Sequence, residues 1–348
     1  MKININKKLA ISNKTRPLVV AEISGNHNGN KKRFLNHIKV AAKNGADMIK
    51  IQTYEPKDIT VKNYKKPFVI KHGIWRNKSL WEIYKKAHTP FAWHQDAFRL
   101  AKKLGTTLFS SPFSRRAVDL LEDLKVPVYK IASFEITDFQ LIDYIARTGK
   151  PIILSTGMAT VDEIKQAIKI IKKYHSKIII LYCVSGYPTA EKDSNLNAIK
   201  YFQKIFNKYN IGISDHTNDI FTSLAATAMN VCLIEKHFII SKKLKTLDSK
   251  FSIDANQLKK LKSSTIKIFS SLGKQKKILK EVEKNNLKLK RSIFAIKNIN
   301  KGEKLTLNNI GSFRPKIGIN SNQFFKILGK KSKKNIKKFS PIFFHEIK

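Results

Sequence analysis

NIGISDHTNDIFTSLAATAMNVCLIEKHF, residues 210–238, is the stretch on which the reading of this chain turns. His216 lies just past one short apolar run, Gly212 to Ser214, and His237 closes the next, Val231 to Lys236. The segment between them has helical character, so the pattern is strand, helix, strand. Two imidazoles at consecutive strand ends can share one divalent metal if those strands are neighbours. The remainder of the chain decides whether they are.

Outward from this stretch the alternation repeats. PLVVAEIS ends near Ser24 in a turn rich in Gly and Asn, GNHNGN, and helical periodicity follows over 31–44, with Phe34, Ile38 and Ala41 on one face. ADMIKIQ is the next strand. The series continues with helix 90–104, strand TTLFS, helix 114–124, strand VPVYKIAS, helix 138–147, strand PIILST, helix 161–174, strand KIIILYC and helix 195–208. Strand NIGIS, helix 218–228, strand VCLIEKHF and helix 255–272 complete it. The nearly continuous apolar strands fit a parallel sheet covered on both faces. Eight such units predict a (β/α)8 TIM barrel over residues 1–275, with its site at the C-terminal strand ends and its last two strands adjacent. A doubly wound sheet requires a Gly-rich phosphate loop after the first strand, and GNHNGN does not supply one.

In a barrel the strand ends converge on one mouth. They offer Glu22, Lys50 with Gln52, Ser110 with Ser111, and Lys130 with Ser133 and Glu135. Ser155 with Thr156, Ser185 with Tyr187, Ser214 with His216, and Glu235 with His237 complete the ring. Lysines and hydroxyls in one mouth make a phosphate or carboxylate site. Ion pairing explains each lysine singly but not the whole set. Residues 54–88 are too long for a simple connection and form a candidate lid, in which Trp75 and Trp81 either stack on a ligand or pack the lid down. His27 in NHNG is equally a turn or a site residue, and His37, His88, His94, His175 and His345 read as structural.

The 348 residues are 42% apolar and carry a formal charge of +43. That excess, mostly Lys on helix-like segments, reads as a compositional bias on solvated faces, and no nucleic-acid-binding signature accompanies it. A basic polyanion-binding protein is the runner-up class. No apolar run reaches the roughly 18 residues of a membrane span, and MKININKKLA lacks a signal-peptide core, so a cytoplasmic protein without a membrane partner is expected. Cys183 and Cys232 sit inside apolar runs and read as buried thiols, neither a nucleophile. Residues 276–290 form a charged linker, and 291–348 a small β-rich domain in which Arg314, in FRP, is the candidate for reaching a ligand.

AEISGNHNG, KIQTY, SSPFS, YKIASFE, ILSTGMA, GISDHT and IEKHF, in this order and spacing, resemble the sialic acid synthase family. KGEKLTLNNI with FRP resembles its antifreeze-like (SAF) domain, so the likeness spans nearly the whole chain. PFVIKHGIWRNKSLWEIYKKAHTPFAWH together with SFE is most similar to the pseudaminic acid branch. The resemblance implies condensation of phosphoenolpyruvate with an open-chain amino sugar, giving a nine-carbon 2-keto acid and phosphate. In that branch the sugar is 2,4-diacetamido-2,4,6-trideoxy-L-altrose (6-deoxy-AltdiNAc). In the alternative branches it is N-acetylmannosamine or the legionaminate precursor 2,4-diacetamido-2,4,6-trideoxymannose.

Carried over motif by motif, the resemblance implies phosphoenolpyruvate binding by Lys50, Ser111, Lys130, Ser133, Ser155, Ser185 and Ser214. It implies sugar contacts from Tyr187, Asp248 and Arg314, proton handling by Glu22 and Glu135, and a divalent metal on His216 and His237. That metal is Mn²⁺, with Mg²⁺ or Co²⁺ as alternatives. A domain-swapped homodimer, with Arg314 acting in trans, is the implied assembly. Two departures stand out: Ser185 occurs in SGYP where N-acetylneuraminate synthases have NIYP, and Lys316 follows FRP in place of a Gly-rich continuation.

Overall fold

A computed structural model describes residues 2–348. The chain divides into two compact units, Met1–Gly273 and Lys274–Lys348. In the first, eight parallel strands close into a barrel. They are β1 (Leu18–Glu22), β2 (Met48–Thr53), β3 (Thr107–Pro112), β4 (Tyr129–Ile131), β5 (Ile152–Ser155), β6 (Ile178–Cys183), β7 (Asn210–Asp215) and β8 (Leu233–His237). Closure comes from β8 pairing with both β7 and β1, with Leu233 opposite Leu18 and His237 opposite Glu22. The strands carrying the two histidines are therefore neighbours, as the sequence requires.

The strands form because their residues are apolar almost without interruption; every residue of β1, β6 and β7 is buried. Helix starts follow from polar caps that satisfy free backbone N–H groups. Asn30 caps Lys31–Lys43, Ser114 caps Arg115–Asp123 and Asp138 caps Phe139–Arg147. Thr160 caps Val161–Ile171 and Asp254 caps Ala255–Leu272, each with a reciprocal bond from Glu163 or Gln257. The helix expected over 161–174 ends three residues early, and the one expected over 195–208 shortens to Asn197–Ile205. A ribbon of Ile3–Asn4 against Ala10–Ile11 precedes the barrel, and Asn13 beyond it bonds the backbone of Ile211 at the start of β7.

The 54–88 insertion is ordered. It holds a short helix, Pro56–Ile59, and a longer one, Leu80–Ala87, whose cap Ser79 exchanges bonds with Glu82. The expected linker 276–290 belongs instead to the second unit, where Glu281–Lys284 and Asn285–Leu289 form short helical turns. That unit pairs β9 (Ser292–Ala295) with β10 (Ile310–Phe313) around Ile293, Leu305, Ile310, Ile327 and Ile342. No helix among the described residues is long and apolar enough to cross a membrane.

Gly212 in β7 is required by packing: a Cβ there would meet Leu181 Cδ2 at 2.5 Å and the Leu233 carbonyl at 2.7 Å. Gly212→Ala is expected to destabilise the barrel by about 1–3 kcal/mol through overpacking. Denaturant unfolding checks this, and an unchanged midpoint would contradict it.

Candidate active site

Four buried charges occupy the barrel mouth. Lys50 Nζ lies 2.9 Å from Glu22 Oε2 and 3.3 Å from Glu235 Oε1, and Lys130 Nζ lies 3.7 Å from that same Glu235 oxygen. Lys130 also donates to Ser155 Oγ at 2.6 Å, while Ser214 Oγ donates to Glu235 Oε1 at 3.3 Å. Removing such ions from water costs several kcal/mol each, so the cluster persists only because the charges face one another. Burial pulls Lys130 below the usual lysine range, whereas Glu22 and Glu235 outweigh burial at Lys50 and hold it above. Glu235 is held below the carboxylate range because Lys130 and Lys50 outweigh its burial. Burial lifts Glu22 to about 7, with Glu235 adding and Lys50 opposing. Near neutrality Glu22 is thus only partly ionised. Glu22 Oε1, Glu235 Oε2 and Ser111 Oγ are sealed from solvent without hydrogen-bond partners, as groups awaiting a ligand are.

His216 and His237 lie beside this cluster with ring centroids 5.3 Å apart. His216 Nδ1 is 3.1 Å from the Val184 carbonyl, which can only accept, so Nδ1 carries the proton of the neutral ring and Nε2 presents its lone pair. His237 is held well below the imidazole range by burial, with His216 and Lys50 adding. Its buried Nδ1 has no hydrogen-bond partner and lies 3.8 Å from Asp248 Oδ2. Two imidazoles with free nitrogens suit a divalent transition metal. Among the described residues no three His, Cys, Asp or Glu side chains gather in ligating positions, so the protein would supply two ligands and leave the others to water or substrate.

The strand pleat explains why these residues meet. Side chains alternate across a strand, so Ser214 and His216, and likewise Glu235 and His237, share a face while Asp215 and Lys236 take the other. Asp215 and Lys236 pair there at 3.0 Å, and Asp215 also accepts from Thr217 N, Thr217 Oγ1 and Ser223 Oγ. A buried ion pair thereby joins the residues immediately preceding the two histidines. Aromatic rings fix the imidazoles from above: Tyr187 packs on His216 at 4.6 Å, and Phe251 on His237 at 4.8 Å.

Beyond the histidines opens a cavity of about 330 Å³. Gln52, Ser133, Glu135, Ser185, His237 and Asp248 line its strand-end side. Glu135 is half-buried, yet its Oε2 is sealed without a partner, and burial raises this carboxyl to about 7 against the pull of Lys130. Burial also raises Asp248, whose Oδ2 accepts from Gly25 N at 3.3 Å.

Of the residues expected from sequence, Glu22, Lys50, Lys130, Ser155 and Ser214 form one contact network. Tyr187, His216, His237 and Asp248 form the adjoining one. Ser133 Oγ accepts from Gly157 N at 3.1 Å and lies 3.6 Å from Cys183 Sγ, which is 3.8 Å from Ser185 Oγ. Ser111 is buried on β3. Arg314 is an exposed residue of the second unit and makes no ion pair among the described residues. His27 resolves to the turn reading: it accepts from Gly29 N at 3.1 Å, bonds Thr89 at 3.2 Å and is fully buried. Trp75 lines the cavity, whereas Trp81 lines a separate groove with Lys57, Lys62 and Lys85.

Two participants escape the sequence reading. Glu235 is the shared partner of both lysines, which its strand-end position hints at but cannot establish. Cys183 Sγ lies 3.8 Å from His216 Nδ1. An apolar strand hides that proximity.

Fold and mouth together define a (β/α)8-barrel protein with a buried lysine–glutamate cluster beside a pair of histidines. Comparison with known proteins is consistent with that class. Pseudaminic acid synthase of Helicobacter pylori is 42% identical over 329 residues, covering 94% of this chain and 96% of the relative. N,N'-diacetyllegionaminic acid synthase of Campylobacter jejuni is 36% identical over 327 residues, covering 92% and 97%. The crystal structure of N-acetylneuraminic acid synthetase from Leptospira borgpetersenii, in complex with citrate, superposes with a TM-score of 0.74 at 29% identity, over 82% of this chain and 95% of that one. The NeuB family matches residues 37–277, and the chain belongs to it.

The Glu135 carboxyl gives a signed pH effect. Its pKa rises on folding from 4.5 to about 7, so stability is fully present below 4.5 and falls as pH climbs through 7. Glu135→Gln is therefore expected to raise the melting temperature above that of the parent at about pH 8 and to leave it unchanged near pH 4. Melting curves at both values check this, and a gain independent of pH would contradict it.

Proposed function

We propose that this protein condenses phosphoenolpyruvate with 2,4-diacetamido-2,4,6-trideoxy-L-altrose and water to give pseudaminic acid and inorganic phosphate. The observation carrying this reading is the pair of buried lysines on one carboxylate, set beside two imidazoles at the inner end of a sugar-sized cavity. The 42% identity to the H. pylori enzyme, over nearly both chains, supports the choice of sugar.

Lys50 and Lys130 supply charge to the phosphate and carboxylate of phosphoenolpyruvate, and Ser111, Ser133, Ser155, Ser185 and Ser214 supply hydrogen bonds. His216 and His237 hold the divalent metal, Mn²⁺ or alternatively Mg²⁺ or Co²⁺, which when bound supplies Lewis acidity toward the sugar aldehyde. Tyr187 and Asp248 hold the sugar so that its C1 faces C3 of phosphoenolpyruvate. The C3=C2 electron pair forms the new C–C bond to C1, whose oxygen takes a proton. Water adds to the cationic C2 and gives its proton to a mouth carboxylate. Glu22 and Glu135, both near pKa 7, are poised to accept and return protons at neutral pH. The tetrahedral C2 then expels phosphate by C–O cleavage, and its hydroxyl gives up its proton to the departing phosphate as C2 becomes the ketone.

The protein works as a soluble cytoplasmic homodimer in which the C-terminal unit of one chain, carrying Arg314, serves the barrel of the other. Exposed Phe313, Ile317, Phe325, Phe339 and Phe344 on that unit support an apolar contact. The basic surface favours approach of the anionic substrate.

Phosphate release from phosphoenolpyruvate, with the product weighed by mass spectrometry, tests the reading against three sugars: the altrose, the diacetamido mannose and N-acetylmannosamine. The expected outcome is turnover with the altrose and Mn²⁺ and a loss of at least about a hundredfold in His216→Ala and His237→Ala. Intact rates in both variants would remove the metal proposal, and preference for another sugar would reassign the substrate. For the dimer, mixing Arg314→Ala with Lys130→Met protein should restore part of the activity that each lacks alone.

A further inference from the structure

The cavity has two unlike sides. Its polar groups lie on the strand-end side, where Ser133, Glu135, His237 and Asp248 adjoin the lysine cluster. The 54–88 insertion contributes a further part of the lining, most of it aliphatic or aromatic. Leu80, Ile83, Tyr84 and Ala87, at i, i+3, i+4 and i+7 of helix Leu80–Ala87, all face the cavity. Ile70 and Ile59 extend that lining. The stripe is rigidly held: Ile70 N donates to the Lys78 carbonyl at 3.0 Å, and Asn77 N donates to the Ile70 carbonyl at 2.9 Å. Trp75 pins the flank by donating from Nε1 to the Leu247 carbonyl at 3.2 Å.

An amphipathic helix ordinarily buries its stripe against the core. Here the stripe borders open space, and Ile59, Ile70 and Leu80 are only half-buried. Apart from the Tyr54 and Tyr84 hydroxyls, the side chains that the insertion contributes to this space offer no group for a ligand hydroxyl, since the Trp75 N–H is engaged. Whatever occupies the space must be polar at its reacting end and apolar at the other.

We propose that Ile59, Ile70, Leu80 and Ile83 form a methyl-binding recess for the far end of the sugar, taking its C6 methyl and the methyl of its C4 acetamido group. The inference rests on the sugar condensation set out above and assigns which residues select the sugar. The aldehyde carbon must lie at the polar side, next to phosphoenolpyruvate. The open six-carbon chain then carries C4 to C6 toward the insertion. A 2,4-diacetamido-2,4,6-trideoxy sugar presents methyls there, whereas N-acetylmannosamine presents hydroxyls that the recess leaves unpaired. An apolar pocket discriminates against an added hydroxyl by about a hundredfold. Both diacetamido epimers carry the same methyls, so the recess separates sugar classes and not the altrose from the mannose.

Ile70→Thr and Ile83→Thr, which replace an ethyl arm in the recess with a hydroxyl, test this in the full-length protein with Mn²⁺. KM and kcat are measured for the diacetamido altrose and for phosphoenolpyruvate, and KM, or an inhibition constant where there is no turnover, for N-acetylmannosamine. The expected result is a rise of about tenfold in KM for the altrose, an unchanged KM for phosphoenolpyruvate, and a selectivity ratio between the sugars reduced about tenfold. Ile70 is half-buried, so its variant remains informative if Ile83→Thr fails to fold. Unchanged selectivity in folded variants, with the wild type still converting the altrose, would overturn the recess and leave the proposed reaction standing. A parallel weakening for both sugars would mark these residues as structural and overturn it equally. A wild type that converts only N-acetylmannosamine would overturn both.

Discussion

Glu235 and the lysines it holds set the terms for everything around the mouth. One carboxylate oxygen lies within reach of Lys50, Lys130 and the Ser214 hydroxyl, and all four residues are buried. Without that carboxylate two ammonium groups would face each other in a poorly hydrated interior, a state too costly to persist. With it both lysines are held in place by one carboxylate oxygen. The neutral state of His237 depends on the same charges, since Lys50 and Lys130 oppose its protonation after burial has done most of the work.

A second constraint acts from outside the barrel. The Asp215–Lys236 pair ties β7 to β8 on the face opposite the histidines, so the spacing of the two imidazoles is set by buried groups that never face the cavity. Rings of Tyr187 and Phe251 then restrict each imidazole from above. The site therefore combines rigid strands below with an aromatic collar, and the 54–88 insertion supplies a further part of the cavity lining.

Much of this is legible in the order of residues. Eight parallel strands buried on both faces leave eight apolar runs, and the caps Asn30, Ser114, Asp138, Thr160 and Asp254 mark where helices begin. Once eight are counted, the adjacency of His216 and His237 follows from closure. What stays hidden is pairing within the mouth. A list of strand ends names Glu235 without showing that two lysines share it, and Cys183 reads as one more apolar strand residue although it touches His216. Trp75 and Trp81 are alike in sequence, yet one faces the cavity and the other the outer groove, because the helix that begins at Leu80 turns them apart. The charged stretch 276–290 lies in the compact unit Lys274–Lys348 and includes the short helix Glu281–Lys284.

Pairing of Leu233–His237 with Leu18–Glu22 joins the last strand to the first. Glu22 stands near the start of the chain, and Glu235 and His237 more than two hundred residues later. On the ribosome, Lys50 and Lys130 emerge long before the carboxylate that will neutralise them, and the histidine pair is complete only when Phe238 is being added. The mouth is thus complete only once the last barrel strand pairs with the first.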